Sequence, residues 1–184
     1  MSKVSLSITM SLDGFIRRAD GSEDVYEGSY DASELLEELI RKTGSVLMGR
    51  NAFNMSESPD WYADNYEYQV PIFVITHDVP SLQPKENDRL NFTFVTDGLK
   101  SGVEQAKIAA GDRQVTVIGG AAIAQQLLAG GLLDEIQVGI MPTLVGSGLR
   151  LFEHLGDQIR LEKVRTNESG PRTDIWFRVE SPES

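Results

Sequence analysis

The stretch Val115-Thr-Val-Ile-Gly-Gly-Ala-Ala-Ile-Ala124 constrains the fold more than any other. Four residues suited to a buried strand run into two glycines. Helical, alanine-rich sequence follows at once and stops at Gly130-Gly131. A strand that hands directly to a helix is a building unit of α/β architecture, because the helix carries the chain back to lay down a parallel neighbour. The helix start also has chemical potential, since its unpaired amides attract anions and glycines let a phosphate approach the backbone. The same glycines would equally serve a turn that needs small residues for packing. The segment is not the G-x-G-x-x-G dinucleotide fingerprint. Gly146-Ser-Gly148 follows Pro142 with no helix opening after it, so it is not read as a phosphate site.

The rest of the chain fits that frame. Val4, Leu6, Ile8 and Met10 alternate with Ser5, Ser7 and Thr9 as a half-buried strand, which turns at Ser11-Leu12-Asp13-Gly14. Asp31-Ala32-Ser33-Glu34 predicts a capped helix with Leu35, Leu36, Leu39 and Ile40 as its apolar stripe and Gly44 as its stop. Val46 to Met48, closed by Gly49-Arg50, and Pro71 to Thr76 are continuous apolar runs of the kind buried on both faces of a parallel sheet. Residues 54 to 69 form an acidic, aromatic loop with at most a short helical turn. Phe92 to Thr96 predicts another strand, and Ser101-Gly-Val-Glu104 a second capping box, its helix stopped at Gly111. Ile136, Val138 and Ile140 alternate up to Pro142. Two last strands, about Leu161–Thr166 and Thr173–Val179, are joined by a hairpin at Ser169-Gly-Pro-Arg172. About eight strands and three or four helices result, in one domain over residues 1–184: a mainly parallel α/β sheet with antiparallel C-terminal strands.

Composition excludes whole classes of function. With no cysteine there is no disulfide, thiolate metal site or cysteine nucleophile, and two distant histidines, His77 and His154, do not suggest a metal centre. Acidic residues outnumber basic ones by 28 to 17, for a net charge of −11, so the phosphate-neutralising surface of a nucleic-acid binder is not expected. No apolar run reaches the length of a membrane span, and no signal pattern precedes the first strand. A cytoplasmic protein acting on a small molecule, without nucleic acid or membrane, is the expectation.

Candidate residues gather at strand ends. Gly49 and Arg50 close one buried strand and Thr76 and His77 another; the carboxyl ends of such strands are where ligands bind in open α/β sheets, and an arginine there can grip a phosphate with two parallel hydrogen bonds. An arginine in that place is also commonly just an ion-pair residue. Asp13 reads first as an aspartate bonding its own turn, and otherwise as the holder of a loop over a cofactor. Glu34 and Glu38 point away from the core, while Ser33 and Glu37 share one flank of the stripe.

Taken in order, Ser11-Leu-Asp-Gly-Phe-Ile16, Leu47-Met-Gly-Arg50, Pro71-Ile-Phe-Val-Ile-Thr76, Val117-Ile-Gly-Gly-Ala121, Leu127-Leu-Ala-Gly-Gly-Leu-Leu-Asp-Glu135, Pro142 and Gly146-Ser-Gly-Leu-Arg-Leu-Phe152 resemble the dihydrofolate reductase-like superfamily. Within it, the chain is similar to the reductase domain of bifunctional riboflavin-biosynthesis deaminase/reductases. The resemblance implies a three-layer α/β fold, with helices on both faces of an eight-stranded sheet, and an NADPH-dependent reduction of a C=N or C=O bond in a small heterocyclic or ribosyl-linked substrate. It places Gly119, Gly120, Ala121, Ala122 and Ile123 on the pyrophosphate, and the sequence leaves open whether the peptide between the glycines is cis or trans. It places Gly49 and Arg50 on the adenosine side, Arg50 near the 2′-phosphate, with Thr76 and His77 beside them, and Asp13 to Ile16 over the nicotinamide. Ser33 stands where dihydrofolate reductases carry their substrate-binding acid, and Ala124 where they place an aromatic residue. Ile118 stands where the riboflavin reductases carry a glutamate, and Phe15 where they tend to have a basic or polar residue. Asp13 and Glu37 are then the protein's candidate proton donors, beside water, and Ser33 and Ile118 mark the substrate end. The alternatives are an NADPH-binding regulatory module without turnover, or a dihydrofolate reductase with a non-standard acid. A homodimer is expected from relatives of this kind.

Overall fold

Thr43 shows how closely helix and strand are joined in this chain: its Oγ1 donates to the Leu39 carbonyl (2.6 Å) in the last helical turn, and the strand begins at that same residue. The helix, α1 (Ser33–Lys42), therefore stops without the glycine expected to end it. Gly44 lies inside the strand instead, where a Cβ would run into the backbone of Ala110. The computed structural model describes residues 2–22, 33–56, 58–156 and 158–180, with Ser33 and Ser169 described in backbone only; Asp31 and Ala32 of the expected cap lie outside them.

Among the described residues there are ten strands and five helices. Besides α1 these are β1 (Val4–Ser11), β2 (Phe15–Arg18), β3 (Thr43–Gly49), α2 (Arg50–Phe53), α3 (Trp61–Asn65), β4 (Ile72–Ile75), β5 (Phe92–Val95), α4 (Leu99–Ala110), β6 (Gln114–Ile118), α5 (Ala121–Ala129), β7 (Glu135–Met141), β8 (Gly148–Arg150), β9 (Leu161–Ser169) and β10 (Arg172–Val179). Eight strands make one sheet in the order β5-β4-β3-β6-β1-β7-β10-β9, and β2 pairs with β8 as a separate ribbon. Pairings β1·β7, β3·β4, β3·β6 and β4·β5 are parallel, while β10 runs antiparallel to β7 and to β9. The mainly parallel sheet with an antiparallel C-terminal end is thus as expected.

The chain forms two compact units, Met1–Val4 with Glu38–Gly119, and Ser5–Glu37 with Gly120–Ser184. In the first, alternate residues of β3 point to opposite sides. Val46 and Met48 join Phe53, Tyr62, Tyr66, Tyr68, Val70, Ile72, Val74 and Leu90 in an aromatic core. On the other side Ser45 donates its hydroxyl to the Ala106 carbonyl (2.8 Å), and Gly102 lets α4 approach the side chains of Ile75 and Leu47. This unit therefore carries helices on both faces of its strands. α4 starts earlier than the capping box predicts: Gly98 (φ 111°) precedes it, and Ser101, already inside the helix, donates to Asp97 Oδ2 (2.8 Å). Leu36, expected in the stripe of α1, is exposed, whereas Leu35 is buried.

The second unit buries a polar cluster among apolar residues such as Leu6, Leu127, Ile136 and Leu151. Gly139 of β7 leaves a slot in which a Cβ would collide with the guanidinium of Arg172, and Arg172 Nε donates to Asp174 Oδ1 (2.9 Å). Asp174 is fully buried, and Gln137 Nε2 lies 3.4 Å from the same Oδ1 while Ser7 donates to Gln137 Oε1 (3.1 Å). A charge partner and an amide meet this buried carboxylate at Oδ1, while Oδ2 has no hydrogen-bond partner among the described residues.

Candidate functional site

The parallel register brings three strand ends of the first unit to one edge, because Gly49 lies opposite Ile75 and Met48 opposite Ile118. Gly49, Thr76 and Gly119 each follow at that edge. Arg50, half-buried, sets its guanidinium 5.6 Å from the Phe53 ring, and its Nη1 makes a long contact with the Asp78 carbonyl (3.5 Å). The Thr76 hydroxyl donates to the Asp78 carbonyl (2.9 Å), shaping the turn that presents the exposed His77. The arginine's remaining donors can reach a phosphate, since the ring and a single carbonyl fix its direction without neutralising it.

At the end of β6, Gly119 has φ 144°, a conformation that L side chains rarely adopt, and Gly120 is extended as the N-cap of α5. No side chain caps α5, so its first amides are left for other partners. A Cβ at Gly120 or at Gly49 would meet nothing within 4 Å, so the backbone is open on that side. The peptide joining Gly119 and Gly120 is trans, as are all described peptides, which answers what the sequence left open. The chain turns there through the positive φ of Gly119. Ala121 and Ile123 point their side chains inward and Ala122 is exposed, which leaves their backbone amides as the groups able to meet a ligand.

In the second unit the turn after β1 is built on Asp13. Its Oδ1 accepts the Ser11 hydroxyl (2.6 Å) and its carboxylate accepts the amides of Val145 (3.1 Å) and Gly146 (2.8 Å). Ser11 Oγ in turn accepts the Phe15 amide (2.9 Å), and Gly14 has φ 87°. These donors, the Ser11 hydroxyl foremost, hold the Asp13 pKa down at about 2. Such a group is an anion at neutral pH and a poor proton donor. The Asp13–Gly146 contact, which joins residues far apart in the chain, has no local signal in the sequence.

Arg150 is a second feature that sequence reasoning did not single out. Opposite Phe15 in the β2–β8 ribbon, it lays its guanidinium 4.4 Å from the ring centroid and donates from Nη1 to the Asp13 carbonyl (3.2 Å). Ile16, expected in the loop over the cofactor, has its side chain buried. Glu37 is exposed on α1, and the side chain of Ser33 lies outside the described residues. Ile118 packs against the aromatic core of the first unit, which rationalises an apolar residue at that position. Among the described residues no group of three or more histidines or carboxylates could hold a metal ion, and no helix is long and apolar enough to cross a membrane.

Residues 2–175 match the model of the RibD C-terminal domain. The chain belongs to the RibD C-terminal domain family. Its relatives include the uncharacterized protein YwjB of Bacillus subtilis (strain 168), 25% identical over 179 residues that cover 95% of this chain and 97% of that one. Among solved structures it is similar to a candidate riboflavin biosynthesis protein of Shewanella sp. PV-4 (TM-score 0.79, 21% identity, 97% of this chain and 99% of that chain). It is also similar to the diaminohydroxyphosphoribosylaminopyrimidine deaminase/5-amino-6-(5-phosphoribosylamino)uracil reductase of Thermotoga maritima (TM-score 0.67, 14% identity), covering 97% of this chain and 56% of that one. At these identities the structural matches establish the fold, which is the one the motifs implied.

Proposed function

We propose that this protein is an NADPH-dependent reductase that transfers hydride to a C=N or C=O bond of a small heterocyclic or ribosyl-linked substrate, in the manner of a 5-amino-6-(5-phosphoribosylamino)uracil reductase. The observation that carries this reading is the turn at Gly119-Gly120, where a positive φ at Gly119, the open backbone of Gly120 and the uncapped start of α5 follow one another in the chain. Family membership supplies the reductase class.

When bound, the dinucleotide would supply the hydride. The amides of Ala121, Ala122 and Ile123 would face its pyrophosphate and Arg50 its 2′-phosphate, the group that separates NADPH from NADH. Thr76 would hold the turn that presents His77 beside Arg50. Asp13 would keep the loop from Ser11 to Ile16 in one shape by holding Val145 and Gly146, so that the loop excludes water without being rebuilt at each turnover. Because Asp13 is ionised, the proton that completes the reduction is assigned to solvent water rather than to this carboxylate.

The packing of Ile118 into the core supports a second reading, a NADPH-binding module without turnover, since an aliphatic group there offers a substrate no polar contact. Titrating the purified protein with NADPH and NADH, followed by nicotinamide fluorescence, tests the shared part. Preference for NADPH that Arg50→Ala reduces by about 10- to 100-fold is expected, the worth of one charge-assisted phosphate contact. Failure of the folded protein to bind either nucleotide would end both readings. NADPH oxidation with a pterin, a pyrimidine ribosyl compound or a carbonyl panel would then decide for the reductase.

A further inference from the structure

Three aspartates of the chain are followed by glycine, at Asp13-Gly14, Asp20-Gly21 and Asp97-Gly98. Such a pair can rearrange: with no Cβ on the glycine, its amide nitrogen can reach the carboxyl carbon of the aspartate side chain and close a five-membered ring. The first two pairs are restrained at both ends of that reaction. Asp13 accepts the Ser11 hydroxyl (2.6 Å) and the Gly146 amide (2.8 Å), which, the hydroxyl foremost, hold its pKa at about 2. The Gly14 amide donates to the Ser11 carbonyl (2.9 Å). Asp20 takes both the amide (2.9 Å) and the hydroxyl (2.7 Å) of Ser22 on Oδ1, and these bonds, the amide foremost, hold its pKa down as well. The Gly21 amide donates to the Arg18 carbonyl (3.0 Å). A carboxylate kept ionised is a poor electrophile, and an amide that already donates is a nitrogen held in place.

The third pair is less restrained. Thr96, Asp97 and Gly98 are all exposed between β5 and α4. Asp97 accepts the Ser101 hydroxyl on Oδ2 (2.8 Å). The Gly98 carbonyl accepts the Gly102 amide (3.2 Å), while among the described residues no hydrogen bond engages the Gly98 amide. Gly98 has φ 111°, and a Cβ there would meet nothing within 4 Å, so the peptide has room to tilt toward the carboxyl group. We propose that Asp97 is the position at which this folded protein isomerises to isoaspartate. In the protonated form of Asp97, Gly98 N bonds to Cγ and the hydroxyl of the carboxyl group leaves as water with the amide proton. A second water then opens the ring by breaking the bond between the Asp97 main-chain carbonyl carbon and Gly98 N. Nothing is oxidised or reduced, and the product has the mass of the starting chain. Its backbone runs through Cβ and is one carbon longer, directly before α4, and the carboxylate that Ser101 held has moved to the former main-chain carbon.

The experiment ages the full chain for weeks at neutral pH, once folded and once in urea. Isoaspartate is counted by methyl transfer from radiolabelled S-adenosylmethionine with a protein isoaspartate methyltransferase. It is located by peptide mass spectrometry after digestion with an endoproteinase that cuts before aspartate but not before isoaspartate. In the folded chain it should accumulate at position 97 several times faster than at 13 or 20. In urea that ranking should be lost, because the contacts that restrain Asp13 and Asp20 are gone. Asp97→Glu should abolish most of the methyl uptake of the folded chain, since glutamate would have to close a six-membered ring, and circular dichroism checks that the variant is folded. Equal rates at the three positions of the folded chain, a faster rate at 13 or 20, or no isoaspartate at all overturns the proposal. So does a ranking in urea equal to that of the folded chain, which would assign the preference to neighbouring residues in the sequence and not to the fold.

Discussion

The carboxylate of Asp13 accepts the backbone amide of Gly146 (2.8 Å), tying the turn after the first strand to a loop 133 residues further along the chain. That one contact fixes the shape of both loops, and three of the predictions below concern the unit it belongs to.

Replacing Asp13 by asparagine removes the negative charge but keeps the size. Since the folded pKa is held down at about 2, against an ordinary value of 3.8, the folded state binds this proton less readily than the unfolded chain. The stabilisation is therefore complete above about pH 4 and is lost as pH falls through the interval from 3.8 toward 2. Thermal melts of the wild type should fall across that interval more steeply than those of Asp13→Asn, which should itself melt lower at neutral pH. Parallel pH profiles for the two proteins would show that the carboxylate is not the clamp.

Gly139→Ala puts a methyl group where the Arg172 guanidinium lies. Overpacking of this kind costs about 1–3 kcal/mol, and displacing Arg172 also strips a buried carboxylate of its partner. Urea unfolding should show a lower midpoint with an unchanged slope. A midpoint equal to that of the wild type would mean Arg172 has another place to go.

Tyr66 presents the opposite case. Its hydroxyl is buried among the rings of Tyr62, Tyr68 and Trp61 and has no hydrogen-bond partner among the described residues. Burial also pushes its pKa well up. Tyr66→Phe should then raise stability by about 1 kcal/mol, because an unpaired buried hydroxyl is a liability and the ring contacts are kept. A loss of stability on that change would reveal a partner for the hydroxyl.

Gly148→Ala tests the ribbon. Gly148 has φ 147°, and a Cβ there would come within 2.9 Å of the Arg18 Cα and closer still to the Arg17 carbonyl. The substitution should part β8 from β2 and free Arg150 from Phe15, lowering the thermal midpoint while the eight-stranded sheet, judged by far-ultraviolet circular dichroism, persists. An unchanged midpoint would show that the ribbon accommodates the methyl group without losing its pairing.

Much of the sheet was legible because parallel strands covered on both faces leave continuous apolar runs, as Pro71 to Thr76 does. The final hairpin was equally plain, since Ser169-Gly-Pro-Arg172 interrupts two alternating stretches. The β2–β8 ribbon was not, because strands of four and three residues are too short to show a period. The capping box at Ser101 misled for a physical reason: Asp97, four residues earlier, takes that hydroxyl once Gly98 has turned the chain, and the helix starts before it. At the candidate site the glycines and Arg50 could be named from strand ends alone. The sequence could also show that Asp13 bonds within its own turn, as it does to Ser11. The partners that decide its charge, Val145 and Gly146, and the stacking of Arg150 on Phe15 depend on residues brought together only by folding.

The pairing of β1 with β7 has a consequence for how the chain is made. Ser7 and Gln137, which meet in the folded protein, stand 130 positions apart in the chain, so β1 is made long before the strand it pairs with. Until Glu135–Met141 emerges, Leu6, fully buried in the finished protein, lacks that neighbouring strand. Closing so large a loop before any reward makes this pairing a slow event, and the uncovered strand is an adhesive edge for as long as synthesis lasts. Yield in the cell should accordingly respond to chaperone supply, and more strongly for variants that weaken β7 than for those that weaken β4, whose partner β5 follows it closely in the chain.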